Sequence, residues 1–167
     1  PGEDRILVPS PRDVPTYDLK PAMSARQITD KFVEAWNKGI YDLVVCNLAN
    51  GDMVGHTGVL KAAVEACAVV DECVGRMART VEERGGRMLI IADHGNCEVM
   101  LTPEGRPHTA HTTNSVPCIL LEPGGAVPAL SDGRLADVAP TLLGLWGLEP
   151  SAPMSGRHLA AGEARHG

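Results

Sequence analysis

Aromatic side chains, long apolar runs and clusters of basic residues are all scarce in this sequence of 167 residues. Only one Phe, two Tyr and two Trp are present, so a folded core must consist mainly of aliphatic side chains. No apolar run approaches the roughly 20 residues of a membrane-spanning helix, which argues against a membrane protein. The formal net charge is -6 and the Lys and Arg residues are dispersed, which argues against general nucleic-acid binding.

Paired cysteine motifs are missing as well. The five cysteines are odd in number and include no Cys-x-x-Cys spacing, so neither a disulfide framework nor a thiolate zinc site is expected. Most of them lie in apolar stretches, and we predict buried, reduced thiols in a cytoplasmic protein. The cysteines are Cys46, Cys67, Cys73, Cys97 and Cys118.

Apolar periodicity predicts alternating helices and strands. The predicted helices span residues 25–38, 59–84 and 135–146, the last starting properly near Pro140. The predicted strands span residues 41–47, 88–92, 98–101 and 116–121. Ser24 and Gln27 have the spacing of a capping box at the start of the first helix. Alternating strands and helices imply an α/β fold with a mainly parallel sheet and helices on both faces.

The domain organisation is predicted to be simple, because no internal repeat or linker divides the chain. We expect one unit over residues 1–167, with an extended, Pro-rich segment over 1–23 and a frayed tail over 157–167. The first residues show neither a secretory signal pattern nor an initiator Met. We therefore expect these residues to belong to a longer chain.

Side chains that can bind metals occur where two predicted strands end and in one later loop. These pairs are Asp52 with His56, Asp93 with His94, and His108 with His111. In open α/β sheets, sites gather at the carboxyl ends of the strands. Carboxylates mixed with imidazoles suit Mn²⁺ or Zn²⁺, and five or six such groups exceed the needs of one ion. The pattern favours a two-metal site that acts on a phosphoryl group.

Each pair also has a purely structural interpretation. Asp52 and His56 have the spacing of a pair on a helix face, although Gly51, Gly55 and Gly58 argue against a regular helix there. Asp93 can cap a turn, and the two loop histidines can be solvated. All three structural interpretations must hold together to exclude a metal site, so the combination favours metal binding.

Three segments resemble the carboxyl-terminal part of the cofactor-independent phosphoglycerate mutases, members of the alkaline phosphatase superfamily. Residues 47–58 read NLANGDMVGHTG, residues 92–98 read ADHGNCE and residues 108–114 read HTAHTTN. Further similar segments lie at 9–11, 16–21, 70–73 and 135–141. The resemblance extends from residue 2 to about residue 159, in matching order and spacing.

The resemblance implies an alkaline-phosphatase-like fold in which this chain is the carboxyl-terminal part of the metal-binding domain, without its amino-terminal strands. It implies two Mn²⁺ ions, with Zn²⁺ or another divalent ion as alternatives, and no organic cofactor. Asp52, His56 and His111 would hold one ion, and Asp93 with His94 would contribute to the other. The role of His108 is left open.

The implied activity is the interconversion of 3-phosphoglycerate and 2-phosphoglycerate through a phosphoserine intermediate. The family's nucleophilic Ser and its phosphoglycerate-binding domain have no counterpart in these residues, so this chain supplies no catalytic nucleophile and is expected to be inactive alone. Its expected partners are the substrate and the missing amino-terminal part. Alternatives are a phosphopentomutase, a phosphohydrolase of the same superfamily, or a non-catalytic metal-binding or interaction module.

Overall fold

A computed structural model of the chain describes residues 2–160. Within these residues the helices are α1 (Ala25–Lys38), α2 (Asn50–Gly55), α3 (Leu60–Glu82) and α4 (Val138–Leu145), and the strands are β1 (Met88–Ile91) and β2 (Cys118–Leu121). Single 3-10 turns occur at Tyr17–Leu19 and Leu135–Asp137. None of the helices between residues 2 and 160 combines the length and apolarity needed to cross a bilayer.

The chain divides into two compact units, each made of two stretches of sequence. The first unit comprises Pro1–Arg84 and His94–Ser115, and it contains α1, α2 and α3. The second comprises Gly85–Asp93 and Val116–Gly167, and it contains both strands and α4. The prediction of one unit over 1–167 stays a prediction.

Helix α1 has the predicted bounds but not the predicted start. The capping box does not form, because the Ser24 hydroxyl donates instead to the carbonyl of Pro9 at 2.7 Å. The helix ends where Gly39 takes a left-handed conformation (φ 65°) and its N–H donates to the Trp36 carbonyl. Phe32 and Ala35 are buried, and α1 packs against α3.

Small residues on α3 bring its neighbours close. Ala62 and Ala66 are at most 5% exposed and enclose Val54 of α2, which is fully buried. Further along α3, Val69 and Cys73 pack against the start of α1. Helix α2 is therefore held between the core and the loops that follow β1.

The helix α2 corrects the expectation that glycines prevent regular helix here. Asn50 is buried and its side-chain amide donates to the Pro21 carbonyl at 2.8 Å, which fixes the first turn. Gly55 allows a close approach, because a Cβ there would lie 2.2 Å from Oδ1 of Asn96. The helix is followed by a turn that ends at Gly58 (φ 70°).

The two strands pair antiparallel, with Met88 opposite Leu121 and Ile91 opposite Cys118. This ladder differs from the predicted parallel pairing. A parallel connection needs a crossover, usually a helix, and residues 92–117 between these strands contain no helix. The connection through residues 92–117 therefore leads back antiparallel, so that β2 starts beside the end of β1.

Two predicted strands do not form. Residues 41–47 have no strand partner within residues 2–160, so their backbone groups form no ladder, and Val45 is 84% exposed. Residues 98–101 are replaced by a turn and an isolated bridge between Leu101 and Pro107. Apolar composition predicts a strand only where a neighbouring strand is available for pairing.

Leu159, near the end of the described residues, is anchored. Leu159 is 5% exposed, its N–H donates to the Thr141 hydroxyl at 3.0 Å, and its carbonyl accepts from Ser131 at 3.0 Å. The tail was predicted to fray from residue 157, which differs from the structure for residues 157–160. Residues 161–167 of the predicted tail lie outside the described residues.

Candidate metal centre

Four of the five predicted metal ligands meet within the first unit. Asp52 lies on α2, His56 caps its end, His94 begins the turn after β1 and His111 lies in the loop 108–114. The Asp52 Oδ1 atom is 3.0 Å from His56 Nε2 and 2.9 Å from His111 Nε2. These two imidazole nitrogens are 3.0 Å apart. The helix spacing of four residues places Asp52 and His56 on one face.

The proton balance of these three atoms shows why a cation fits. His56 Nδ1 is 2.7 Å from the carbonyl of Thr109, which only accepts, so Nδ1 carries the proton and Nε2 of the neutral ring is an acceptor. The Asp52 carboxylate is also an acceptor. The neutral His111 ring can place at most one proton among the three short contacts. A divalent cation would satisfy all three acceptors at once.

The spacing of the ligand atoms agrees with this conclusion. Bonds of about 2.0–2.2 Å to a tetrahedral ion separate neighbouring ligand atoms by roughly 3.3–3.6 Å. The observed separations of 2.9–3.0 Å are slightly shorter, so small outward movements of exposed side chains would admit an ion. One carboxylate oxygen and two imidazoles leave coordination positions open, as catalytic sites require.

His94 lies beside the same cluster. Its Nε2 lies 3.8 Å from the Asp52 oxygen, and its ring stacks on that of His111 with centroids 3.7 Å apart. Ligand atoms of Asp52, His94 and His111 all lie within 4.8 Å of one another. The resemblance assigned His94 to a second ion, whereas the structure brings it beside the first ligand set.

The other two candidate residues are Asp93 and His108. Asp93 is the last residue of the first stretch of the second unit, so its part in the site stays a prediction. His108 donates its backbone N–H to Met100, and its Nδ1 is buried without a hydrogen-bond partner among residues 2–160. Of the two histidines in the loop 108–114, His111 is the one that reaches Asp52.

Two supporting groups were missed by the sequence analysis. The Asn96 amide donates to Asp52 Oδ1 at 2.9 Å and to its carbonyl at 3.3 Å, which orients the carboxylate. The Thr109 carbonyl fixes the tautomer of His56. The position of Asn96, two residues after His94, could have indicated a supporting role from the sequence. The role of the Thr109 carbonyl could not, because a backbone carbonyl is present at every residue.

The site keeps Asp52 ionised. Burial raises the pKa of its carboxyl group, but the hydrogen bond from Asn96 and the attraction of the His56 and His111 imidazoles when these carry a positive charge outweigh burial, so the pKa lies below its ordinary value. In contrast, burial and the neighbouring Cys67 thiol raise the pKa of Cys97 to about 11. Cys97 therefore stays a thiol near neutral pH, in line with a ligand set of carboxylate and imidazole.

Comparison with known proteins places this site in a family. Residues 1–150 match the metalloenzyme superfamily, and the chain belongs to it. Membership and the ligand cluster together support the use of a divalent metal.

More particularly, the chain is similar to the carboxyl-terminal part of 2,3-bisphosphoglycerate-independent phosphoglycerate mutases, which confirms the resemblance expected from the sequence. The relative from Nitratidesulfovibrio vulgaris is 56% identical over 159 residues, covering 95% of this chain and 31% of the relative. The relative from Akkermansia muciniphila is 58% identical over 159 residues, covering 95% and 30%. The chain thus spans about a third of the length of these relatives.

The fold is shared with a solved mutase. A phosphoglycerate mutase of Leishmania mexicana, crystallised at low cobalt concentration, superimposes with a TM-score of 0.76 at 32% identity. The likeness covers 90% of this chain and 30% of that protein. The α/β, alkaline-phosphatase-like class expected from the sequence is confirmed for a partial fold.

Proposed function

We propose that this chain is the metal-binding part of a phosphoglycerate mutase, an isomerase that interconverts 3-phosphoglycerate and 2-phosphoglycerate. The observation that carries the proposal is the convergence of Asp52, His56 and His111, whose nearest nitrogen and oxygen atoms lie 2.9–3.0 Å apart. The names of the similar proteins supply the substrate.

The residues would divide the metal work between them. Asp52, His56 and His111 would hold one ion, and His94 with Asp93 would contribute to a second. Mn²⁺ is our choice of ion, because mixed oxygen and imidazole ligands suit it, as they also suit Zn²⁺. Such ions polarise phosphoryl oxygens and lower the pKa of a bound hydroxyl. The chain's own contribution is orientation, with Thr109 fixing His56 and Asn96 fixing Asp52.

The remaining groups of the reaction would come from other parts of a longer protein. The chain covers 31% of a relative that carries the whole activity, and the cluster described above includes no serine. We propose that a serine nucleophile, which forms the phosphoserine, and the groups that bind phosphoglycerate lie outside these 167 residues. The chain alone would then show no mutase turnover. We also propose a cytoplasmic location, which the free state of all five cysteines fits.

A chimera tests the activity. The aligned carboxyl-terminal part of the Nitratidesulfovibrio vulgaris relative is replaced by this chain, and formation of 2-phosphoglycerate is followed by coupling to enolase. We expect turnover that disappears in the Asp52→Asn chimera, and none from the isolated chain. Hydrolysis of p-nitrophenyl phosphate without mutase turnover would favour the phosphohydrolase alternative. Metal binding with neither activity would favour a non-catalytic module.

Metal binding is tested on the isolated chain. Calorimetric titration with Mn²⁺ should give one tight site per chain, because among residues 2–160 only the Asp52 cluster collects three possible ligand groups at short range. Two tight sites would show that the second ion needs no ligand from elsewhere. Absence of binding would overturn the proposed function.

A further inference from the structure

Two loops must hold a fixed separation for the metal cluster to exist. One is the turn 94–97, which begins with His94, and the other is the loop 108–114, which carries His111. The residues that follow the two histidines, Gly95 and Thr112, form an isolated antiparallel bridge, in which Thr112 N–H donates to the Gly95 carbonyl at 2.9 Å. This single backbone hydrogen bond contributes little to holding His94 and His111 at a fixed separation.

A single carboxylate spans both loops. Glu98 Oε2 accepts the backbone N–H of Asn96 at 2.7 Å, on the His94 side. Glu98 Oε1 accepts the Thr112 hydroxyl and, at 3.1 Å, the side-chain amide of Asn114, on the His111 side. Three donors from two loops therefore converge on one side chain.

The turn is shaped to let this carboxylate approach. A Cβ atom at Gly95 would lie 2.2 Å from Glu98 Oε1 and 2.2 Å from the Thr112 hydroxyl oxygen. Only glycine at position 95 leaves room for the Glu98 carboxylate and the Thr112 hydroxyl to meet beside the backbone of the turn. Gly95 does not have a positive φ, so backbone conformation does not explain a glycine at this position. The close approach of Glu98 does.

From this geometry we propose that Glu98 is a positioning residue for the metal centre, which fixes His94 against His111 by binding both loops. It is not itself a ligand, because its two oxygens accept hydrogen bonds from the two loops. The two rings stack with centroids 3.7 Å apart, so a shift of either loop displaces an imidazole from Asp52. The inference rests on the proposed metal-binding function.

The test compares Mn²⁺ affinity of the whole chain with that of Glu98→Gln. Glutamine keeps one acceptor oxygen and replaces the other with a donor, which faces either the backbone N–H of Asn96 or the side-chain amide N–H of Asn114. We expect affinity to fall about 10–100-fold, the usual effect of losing a partner behind metal ligands. Glu104→Gln is the matched control. It removes the same charge from an exposed loop residue near Arg106 and should leave affinity unchanged.

A second readout needs no metal. In the metal-free chain, amide exchange of Asn96 should accelerate by on the order of tenfold or more in Glu98→Gln, while that of Ile28 in α1 stays as in the unsubstituted chain. Thr112→Val removes one hydrogen-bond donor to Glu98 while the side chain keeps nearly the same size. It replaces Glu98→Gln in the test if that variant folds poorly. It should weaken Mn²⁺ binding several-fold.

The outcomes separate this inference from the function on which it rests. If the unsubstituted chain binds Mn²⁺ and both Glu98→Gln and Thr112→Val bind it equally well, the positioning role is wrong while the metal site stands. Equal losses in Glu98→Gln and Glu104→Gln would reduce the effect to net charge and overturn the role. If the unsubstituted chain binds no Mn²⁺, the proposed function falls and this inference falls with it.

Discussion

Asp137 in the second unit and Asp52 in the first both have a pKa below the ordinary value of an aspartic acid, but their partners differ in kind. Asp137 is 3% exposed and accepts the backbone N–H groups of Arg157 and Arg134, each at 2.8 Å. Those bonds, Arg157 first, lower its pKa. Both of these contacts are donors, so Asp137 joins two segments and has no need of a cation.

Asp52 has a neighbour that is itself an acceptor. Asn96 donates to it, but His56 presents an unprotonated Nε2 to the same oxygen at 3.0 Å. A lowered pKa therefore does not by itself mark a candidate metal ligand. The nature of the partners separates the two carboxylates, because acceptors that converge without enough protons favour a cation.

The largest expected effect separates the two carboxylates directly. Asp52→Asn should weaken Mn²⁺ binding at least about 100-fold, because it removes a charged ligand, and loss of a mere supporting partner already costs 10–100-fold. Asp137→Asn should leave Mn²⁺ affinity intact and lower the free energy of unfolding, since an amide nitrogen would face a backbone N–H. Calorimetric titration and urea denaturation of both variants measure this. A comparable loss of affinity in both would remove the distinction.

Core truncations in the two units should differ in the same way. Leu120→Ala on β2, at a side chain 1% exposed, should lower the free energy of unfolding by about 2–5 kcal/mol. Val54→Ala should cost about 2 kcal/mol. Because Val54 lies on α2 between Asp52 and His56, its truncation should also weaken Mn²⁺ binding several-fold. Urea denaturation with and without Mn²⁺ checks both, and an unchanged affinity in Val54→Ala would show that α2 holds its ligands without core support.

Two glycines of nearly equal backbone conformation provide a finer contrast. Gly58 has φ 70° and Gly147 has φ 69°, so alanine should cost about 1–2 kcal/mol at either position from backbone strain. At Gly58 the added Cβ would also lie 2.9 Å from Pro107 and 3.0 Å from Thr109, whereas nothing lies within 4 Å at Gly147.

Gly58→Ala should therefore be the more destabilised variant and should weaken Mn²⁺ binding, since Thr109 orients His56. Gly147→Ala should affect stability alone. Thermal unfolding and Mn²⁺ titration of the pair give the comparison. Identical behaviour of the two variants would mean that the loop yields without moving Thr109.

The smallest effect is expected from pH. Because the folded pKa of Asp137 is lowered, its contribution to stability is present above the unfolded value of about 3.9 and is lost as pH falls through the folded value. Melting temperatures measured from neutral pH into acid should fall below about pH 4, and less steeply in Asp137→Asn. A parallel decline in that variant would assign the acid sensitivity to other carboxylates.

Local patterns predicted the helices better than the sheet. The bounds of α1 were predicted because an apolar stripe ends at Gly39, and both signals are local. The antiparallel direction of β1 and β2 was not predicted, because it depends on the path that residues 92–117 take between the two strands. The segment 41–47 looked like a strand, but apolar composition cannot supply the neighbour that a ladder needs.

The sequence predicted the residues of the site better than it predicted their geometry. Asp52, His56, His94 and His111 were expected as ligands, and the structure brings them together. Helix α2 was not expected, because its glycines suggested a loop. The reason for Gly55, close approach to Asn96, exists only in three dimensions.

The sequence by itself determined the types of the candidate ligands, their order along the chain and the family to which they point, since these depend on residue identity and spacing. Tertiary structure alone decided that Thr109 fixes a tautomer, that Asn96 orients Asp52 and that Glu98 binds both histidine loops. These contacts join residues distant in sequence, or a side chain to a backbone group. Hydrogen bonds of that kind follow from the positions of the loops, which no local pattern specifies.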